Sequence, residues 1–207
     1  MYARSSTVQG SPEALDRATA YLRDKVMPAV QGLTGFVGLS VLHDRDSGRC
    51  VATTAWATEQ AMHDSESPLH TLRQRYAEIL GGRPEVQEWE IAVLHRLRST
   101  PEGAACRVIW SRNDPAMDQE QVIDALRTRL IPQLDRLPGF CSMSMLVDRE
   151  TGRAVTATVY ETREAMARAT ERVMQLRDEA RQRTGSEITE VAQFEVGLAH
   201  LRVPETV

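Results

Sequence analysis

The chain is one unit written twice, and that repeat constrains its fold more than any other feature. Sliding the 207-residue sequence by 104 positions lays Pro28 on Pro132, Leu33 on Leu137 and Gly35-Phe36 on Gly139-Phe140. The same shift lays Asp44-Arg45 on Asp148-Arg149, Gly48-Arg49 on Gly152-Arg153, Thr54 on Thr158 and Ala61-Met62 on Ala165-Met166. Between residues 28 and 62, 15 of 35 positions are identical, where unrelated sequence would give about two. After one inserted residue the match resumes, with Glu90 on Glu195 and His95 on His200. The polar segment Arg98-Ser-Thr-Pro-Glu-Gly103 carries proline and glycine and reads as a linker. The repeats are therefore 1–97 and 104–207, joined by 98–103.

The order of elements repeats as well. Residues 2–9 and 104–112 read as strands. Residues 12–31 and 118–135 read as helices, the second with Ile123, Leu126, Leu130 and Leu134 at three- and four-residue steps. Ser11 and Asp118 stand where they could cap these helices, and Pro28 and Pro132 fall late enough to kink or end them. Two strands follow, 35–44 and 49–57, matched by 139–148 and 153–160. Asp44–Gly48 and Asp148–Gly152 are hairpin turns whose glycine supplies positive φ. Second helices at 58–80 and 162–184 start behind Thr58 and Thr162. Closing strands span 85–96 and 188–202.

Each repeat is thus β-α-β-β-α-β, the split βαβ or ferredoxin-like motif. Its sheet carries both helices on one face and leaves the other face bare, which must be covered. Two fused copies can cover each other. The expected fold is α+β: two fused ferredoxin-like repeats forming an intramolecular dimeric α/β barrel.

Composition excludes several classes. Apolar residues are 42% and charged residues 26%, which suits a soluble globular chain. No run of about 18 apolar residues predicts a membrane span, and no apolar signal core opens the chain. A net charge of −4 gives no electrostatic case for nucleic acid. Cys50, Cys106 and Cys141 are scattered, which argues against a disulfide framework or a cysteine metal site and for reduced thiols in the cytoplasm. GxGxxG, GxxxxGK[ST] and GxSxG are absent, against nucleotide enzymes and serine hydrolases.

The element order, together with Trp56-Ala-Thr-Glu-Gln-Ala-Met-His63 and Pro68-Leu-His70, resembles the antibiotic biosynthesis monooxygenase-like domains of the dimeric α/β-barrel superfamily. The resemblance covers both repeats. It implies a dimer within one chain, as a monomeric pseudo-dimer or a further homodimer. Members include cofactor-independent oxygenases of quinol- or anthrone-like aromatics, haem-degrading enzymes and proteins without a known reaction. The implied activity is cofactor-independent oxygenation of a small apolar or aromatic compound. The alternatives are a non-catalytic small-ligand-binding or stress-associated protein and, third, a haem binder. The haem-degrading pattern of a strand-one asparagine and a helix tryptophan is missing here, so no cofactor is expected.

Two histidines carry the catalytic expectation. His63 and His70 lie seven residues apart, about two helical turns, and imidazole titrates near neutrality. His70 is the first candidate base and His63 the second; otherwise both are partly exposed helix residues. Ala167 and Met174 replace them in the second repeat. Trp56 and Trp89 are candidate walls for a flat ligand, or else core residues. His63, Asp64, Glu66 and His70 have no metalloenzyme spacing, so no metal site is expected.

Overall fold

The computed structural model describes residues 1–113 and 118–201. Arg202, the expected end of the last strand, and the chain beyond it to Val207 lie outside the described residues. Eight strands hydrogen-bond in the order β1-β3-β2-β8-β5-β7-β6-β4 and close a barrel. They are β1 (Tyr2–Gln9), β2 (Phe36–His43), β3 (Arg49–Trp56), β4 (Pro84–Arg96), β5 (Ala105–Arg112), β6 (Phe140–Asp148), β7 (Arg153–Tyr160) and β8 (Glu187–Leu201). The neighbours β1/β3, β2/β3, β5/β7 and β6/β7 run antiparallel. The fold is the expected α+β arrangement of two fused βαββαβ repeats.

The helices depart from uniform rods where proline dictates. The first helical stretch consists of α1 (Leu15–Tyr21), a wider π segment at Leu22–Val26, and α2 (Met27–Gln31). In the second repeat α5 (Gln119–Ala125), a π segment at Leu126–Leu130, and α6 (Ile131–Leu134) follow the same plan. Pro28 and Pro132 have no N–H for the helical ladder and push away the carbonyl one turn back. The preceding turn widens instead, with Met27 N–H bonded to Leu22 O and Ile131 N–H to Leu126 O. The prolines neither end nor break the helices outright.

Thr58 caps α3 (Glu59–Asp64) and Thr162 caps α7 (Arg163–Thr184), accepting from Ala61 N and Ala165 N at 3.1 Å. Asp118 accepts from Glu120 N at the start of α5. Ser11 does not cap: its hydroxyl is turned to the Glu13 carboxylate. Ser65 interrupts the predicted 58–80 helix, and α4 (Glu66–Leu80) resumes after it. Pro68 then sits in the first turn of α4, where its missing N–H costs nothing.

Two compact units emerge. One gathers Met1–Trp89 with the end of β8 from Phe194; the other gathers Glu90–Gln193. The C-terminal end of each repeat thereby joins the other repeat's sheet. Within the first unit β2 pairs with β8, Leu39 opposite His200. Within the second, β4 pairs with β6, His95 opposite Met143. An aromatic stack recurs in both. His200 stacks on Phe36 at 6.4 Å, and Phe36 meets Trp56 edge-on at 5.7 Å. His95 stacks on Phe140 at 6.3 Å, and Phe140 meets Tyr160 edge-on at 5.9 Å. Each unit packs its helices on its sheet through its own apolar core. Among the described residues, no helix is long and apolar enough to cross a membrane.

The hairpin glycines give a first test. Gly48 and Gly152 hold φ of +76° and +71°, where an L side chain costs about 1–2 kcal/mol. A Cβ on Gly48 would collide with the Gly10 carbonyl oxygen, whereas one on Gly152 would come no nearer than 3.2 Å to Asn113 O. Gly48→Ala should therefore destabilise by roughly 1–3 kcal/mol more than Gly152→Ala, read from urea midpoints. Equal losses would show that the Gly10 backbone yields freely.

Candidate functional site

Strand alternation sends Arg4 and Ser6 of β1 toward the helices, and Arg107 and Ile109 of β5 likewise. The register shows that Arg4 and Arg107 are counterparts. Arg4 lies opposite Thr54 and Arg107 opposite Thr158, the matched threonines of the two repeats. Both arginines are 5% exposed. The sequence reading missed them because the first strands align at a different offset from the rest of the repeat. A charged residue inside an otherwise apolar or small-residue strand was the available signal.

In the first unit Arg4 is fully engaged. Its Nε and Nη2 donate to Glu88 Oε1 at 3.0 and 2.6 Å. Its Nη1 donates to Ser65 Oγ at 3.1 Å and pairs with Glu66 Oε2 at 3.0 Å. Arg73 adds a two-pronged contact to Glu66 at 2.9 and 3.0 Å, which holds that carboxyl below its usual range, with Arg4 and His70 adding attraction. Glu88 is partly desolvated, which opposes ionisation. The bond and charge of Arg4 outweigh this and also keep it low.

The two candidate histidines stand on the rim of this network. His63 Nε2 is 3.2 Å from Glu88 Oε2, and His70 Nδ1 is 3.8 Å from Glu66 Oε1. Their side chains are 50% and 57% exposed. The tryptophans are interior. Trp56 is fully buried and donates to Thr54 Oγ1 at 3.1 Å; Trp89 is buried and donates to Ser5 Oγ at 2.9 Å. Among the described residues, no three His, Cys, Asp or Glu side chains converge as a metal site would require. Burial pushes the thiols up, Cys106 to about 12 and Cys50 to about 11, so they are poor nucleophiles.

A cavity lies between helices and sheet in each unit, at matched positions. In the first it measures about 50 Å³ and is lined by Arg4, Leu22, Val26, Thr54, Leu69 and Leu72 among others. In the second it measures about 170 Å³ and is lined by the counterparts Leu126, Leu130, Thr158, Val173 and Leu176, with Ile109 and Ser111 of β5. The difference has a counterpart in sequence. Tyr76 is buried in the first unit, its hydroxyl 2.6 Å from Cys50 Sγ. By sequence, the second repeat carries alanine at both matching positions, 180 and 154. The lining is largely aliphatic and hydroxylic, with Asn113, Arg129, Gln133, Arg177 and Glu179 as its amide and charged members.

Comparison with known proteins places the chain. It is 45% identical over 207 residues to the uncharacterized protein Rv2557 of Mycobacterium tuberculosis (strain ATCC 25618 / H37Rv), covering all of this chain and 92% of that one. It is 43% identical over 209 residues to Rv2558 of the same strain, covering 100% and 88%. No protein-family profile matches it. Among solved structures it resembles a Lactobacillus acidophilus NCFM protein classed provisionally as a monooxygenase, with TM-score 0.73 at 11% identity over 100% and 98% of the two chains. It also resembles an anthrone oxidase-like protein, with TM-score 0.63 at 14% identity over 99% and 94%. A ferredoxin-fold protein related to antibiotic biosynthesis monooxygenases, from Listeria monocytogenes 4b F2365, aligns with TM-score 0.53 at 8% identity over 94% of each chain. These likenesses establish the monooxygenase-like fold.

Proposed function

The chain belongs to the family of the mycobacterial proteins Rv2557 and Rv2558, and from that premise we propose that it binds a small aromatic or similarly apolar molecule in its second repeat. The carrying observation is the cavity of about 170 Å³ in a unit whose counterpart, with Tyr76 in its lining, measures only about 50 Å³. An apolar cavity of roughly 150 Å³ accepts a single benzene-sized ring. The cavity lies between helices and sheet and opens on one side to solvent, which suits a preformed site with an entry.

Thermal unfolding with toluene tests this reading. At ten times its Kd a single-site ligand adds roughly 1.4 kcal/mol, a rise of about 3–6 °C in Tm for a chain of this size. Val173→Phe, which projects a ring into the cavity, should abolish the rise. No stabilisation by toluene or by any other single-ring aromatic would overturn the proposal.

A second reading, cofactor-independent oxygenation, is favoured by the pairing of His63 with Glu88 at the edge of the Arg4 network. In it a quinol- or anthrone-like substrate loses a proton from carbon to His70 or His63, the carbanion adds to O₂, the peroxide takes the proton back from the imidazolium, and loss of water leaves the new carbonyl on the ring. Trp56 and Trp89, buried on Thr54 and Ser5, would back such a site rather than line it. Oxygen uptake with quinols and anthrones that disappears in His70→Ala and His63→Ala would support it. Uptake unchanged in both variants would remove the two histidines from the reaction.

A further inference from the structure

We infer that the guest of the second repeat is a small aromatic carboxylate whose charge is met by Arg107; this rests on the cavity reading above and adds its chemical class. The argument is a comparison of two buried arginines in matched places. Arg4 is neutralised by Glu66 and Glu88. Where the first repeat has those two carboxylates, the second has Thr170 and Gln193. Arg107 Nη2 donates to Thr170 Oγ1 at 2.6 Å and to Met166 O at 3.5 Å. Its Nη1 is buried and, among the described residues, has no hydrogen-bond partner. A guanidinium left this way carries a desolvation cost that an anion would relieve.

Its position ties it to the cavity. Arg107 shares its face of β5 with Ile109 and Ser111, both in the lining. Thr170, which receives Nη2, stands one helical turn before the lining residue Val173 on α7. Thr158, another lining residue, donates from Oγ1 to Arg107 O at 3.4 Å. Arg107 is not itself a lining residue: its guanidinium lies on Thr170 and Met166, behind the wall to which its neighbours Ile109, Thr158 and Val173 contribute. In the first unit the matched Arg4 is itself part of the cavity lining. A planar carboxylate fits the guanidinium fork better than a spherical ion does, and the aliphatic walls require an apolar body behind it. In this arrangement the ligand's carboxylate takes the place that Glu66 and Glu88 hold in the first repeat.

The test uses the full chain and calorimetric titration with benzoate, benzamide, toluene and inorganic phosphate. Benzoate should bind about tenfold or more tighter than its neutral isostere benzamide. Arg107→Gln should remove that advantage and leave toluene binding within twofold. Thr170→Glu supplies the missing carboxylate from within the chain, at the position of Glu66. It should abolish benzoate binding while retaining toluene, independently of any folding defect in Arg107→Gln. If no ring compound binds, the cavity reading itself fails. If toluene binds but benzoate is no tighter than benzamide, the cavity stands and the carboxylate assignment falls. Phosphate binding as tightly as benzoate would likewise overturn it, leaving Arg107 a general anion site.

Discussion

Replacing Trp56 by alanine should destabilise the protein by about 3–5 kcal/mol, the range for deleting a large buried aromatic. The indole is fully buried, meets Phe36 edge-on at 5.7 Å, and satisfies its N–H on Thr54. Removing it leaves a cavity among groups that are anchored on three elements and cannot collapse into it. It also strips the Phe36–His200 stack of one neighbour. Trp56→Phe should recover most of the loss, because the ring contact survives and only one hydrogen bond disappears. A urea denaturation series measures both variants. A loss below about 1 kcal/mol for Trp56→Ala would instead mark the indole as a replaceable wall whose contribution is to a ligand.

Arg4→Met and Arg107→Met should shift stability in opposite directions, although the residues are counterparts in the repeat. Arg4 makes charge-assisted bonds to two carboxylates, each such bond contributing about 1.5–3 kcal/mol when well shielded. Glu66 and Glu88 are partly exposed and keep Arg73 and His63 as partners. Solvent screening therefore reduces the expected loss to about 1–3 kcal/mol. Arg107 has no such compensation. Exchanging a buried, incompletely paired charge for an apolar side chain of similar length stabilises by roughly 1–4 kcal/mol in comparable cases. The expected result is a lower urea midpoint for Arg4→Met and a higher one for Arg107→Met. Losses of equal size in both would show that Arg107 is as well paired as Arg4, and would remove the premise of the carboxylate assignment.

The repeat, the element order and the turns were all legible in the sequence because each rests on local signals. Glycine at 48 and 152 demands a turn, threonine at 58 and 162 starts a helix, and the shift of 104 residues forces both repeats into one plan. The widened helical turns were only half legible. Proline announced a disturbance, but that it would take the form of a widened π turn was not legible from the proline alone. The functional region was read least well. His63 and His70 drew attention by residue type, yet the buried group beside them is Arg4, held by the partly exposed carboxylates Glu66 and Glu88. Arg4 and Glu88 are 84 residues apart in sequence, and no pattern within a helix or strand relates them.

By itself, then, the sequence determined that two ferredoxin-like repeats would be built, and where their hairpins and the caps at Thr58, Asp118 and Thr162 fall. Periodicity, capping and turn chemistry act over a few residues and repeat when the residues do. Only the tertiary structure decided that His95 would stack on Phe140 and His200 on Phe36. It alone brought Tyr76 onto Cys50 beside a helix–sheet cavity of about 50 Å³, while the counterpart cavity measures about 170 Å³. It alone paired one buried arginine with two carboxylates and left the other with an unsatisfied N–H. Burial and counter-charge are properties of through-space neighbours, and two nearly matching sequences acquire different neighbours once a few side chains differ.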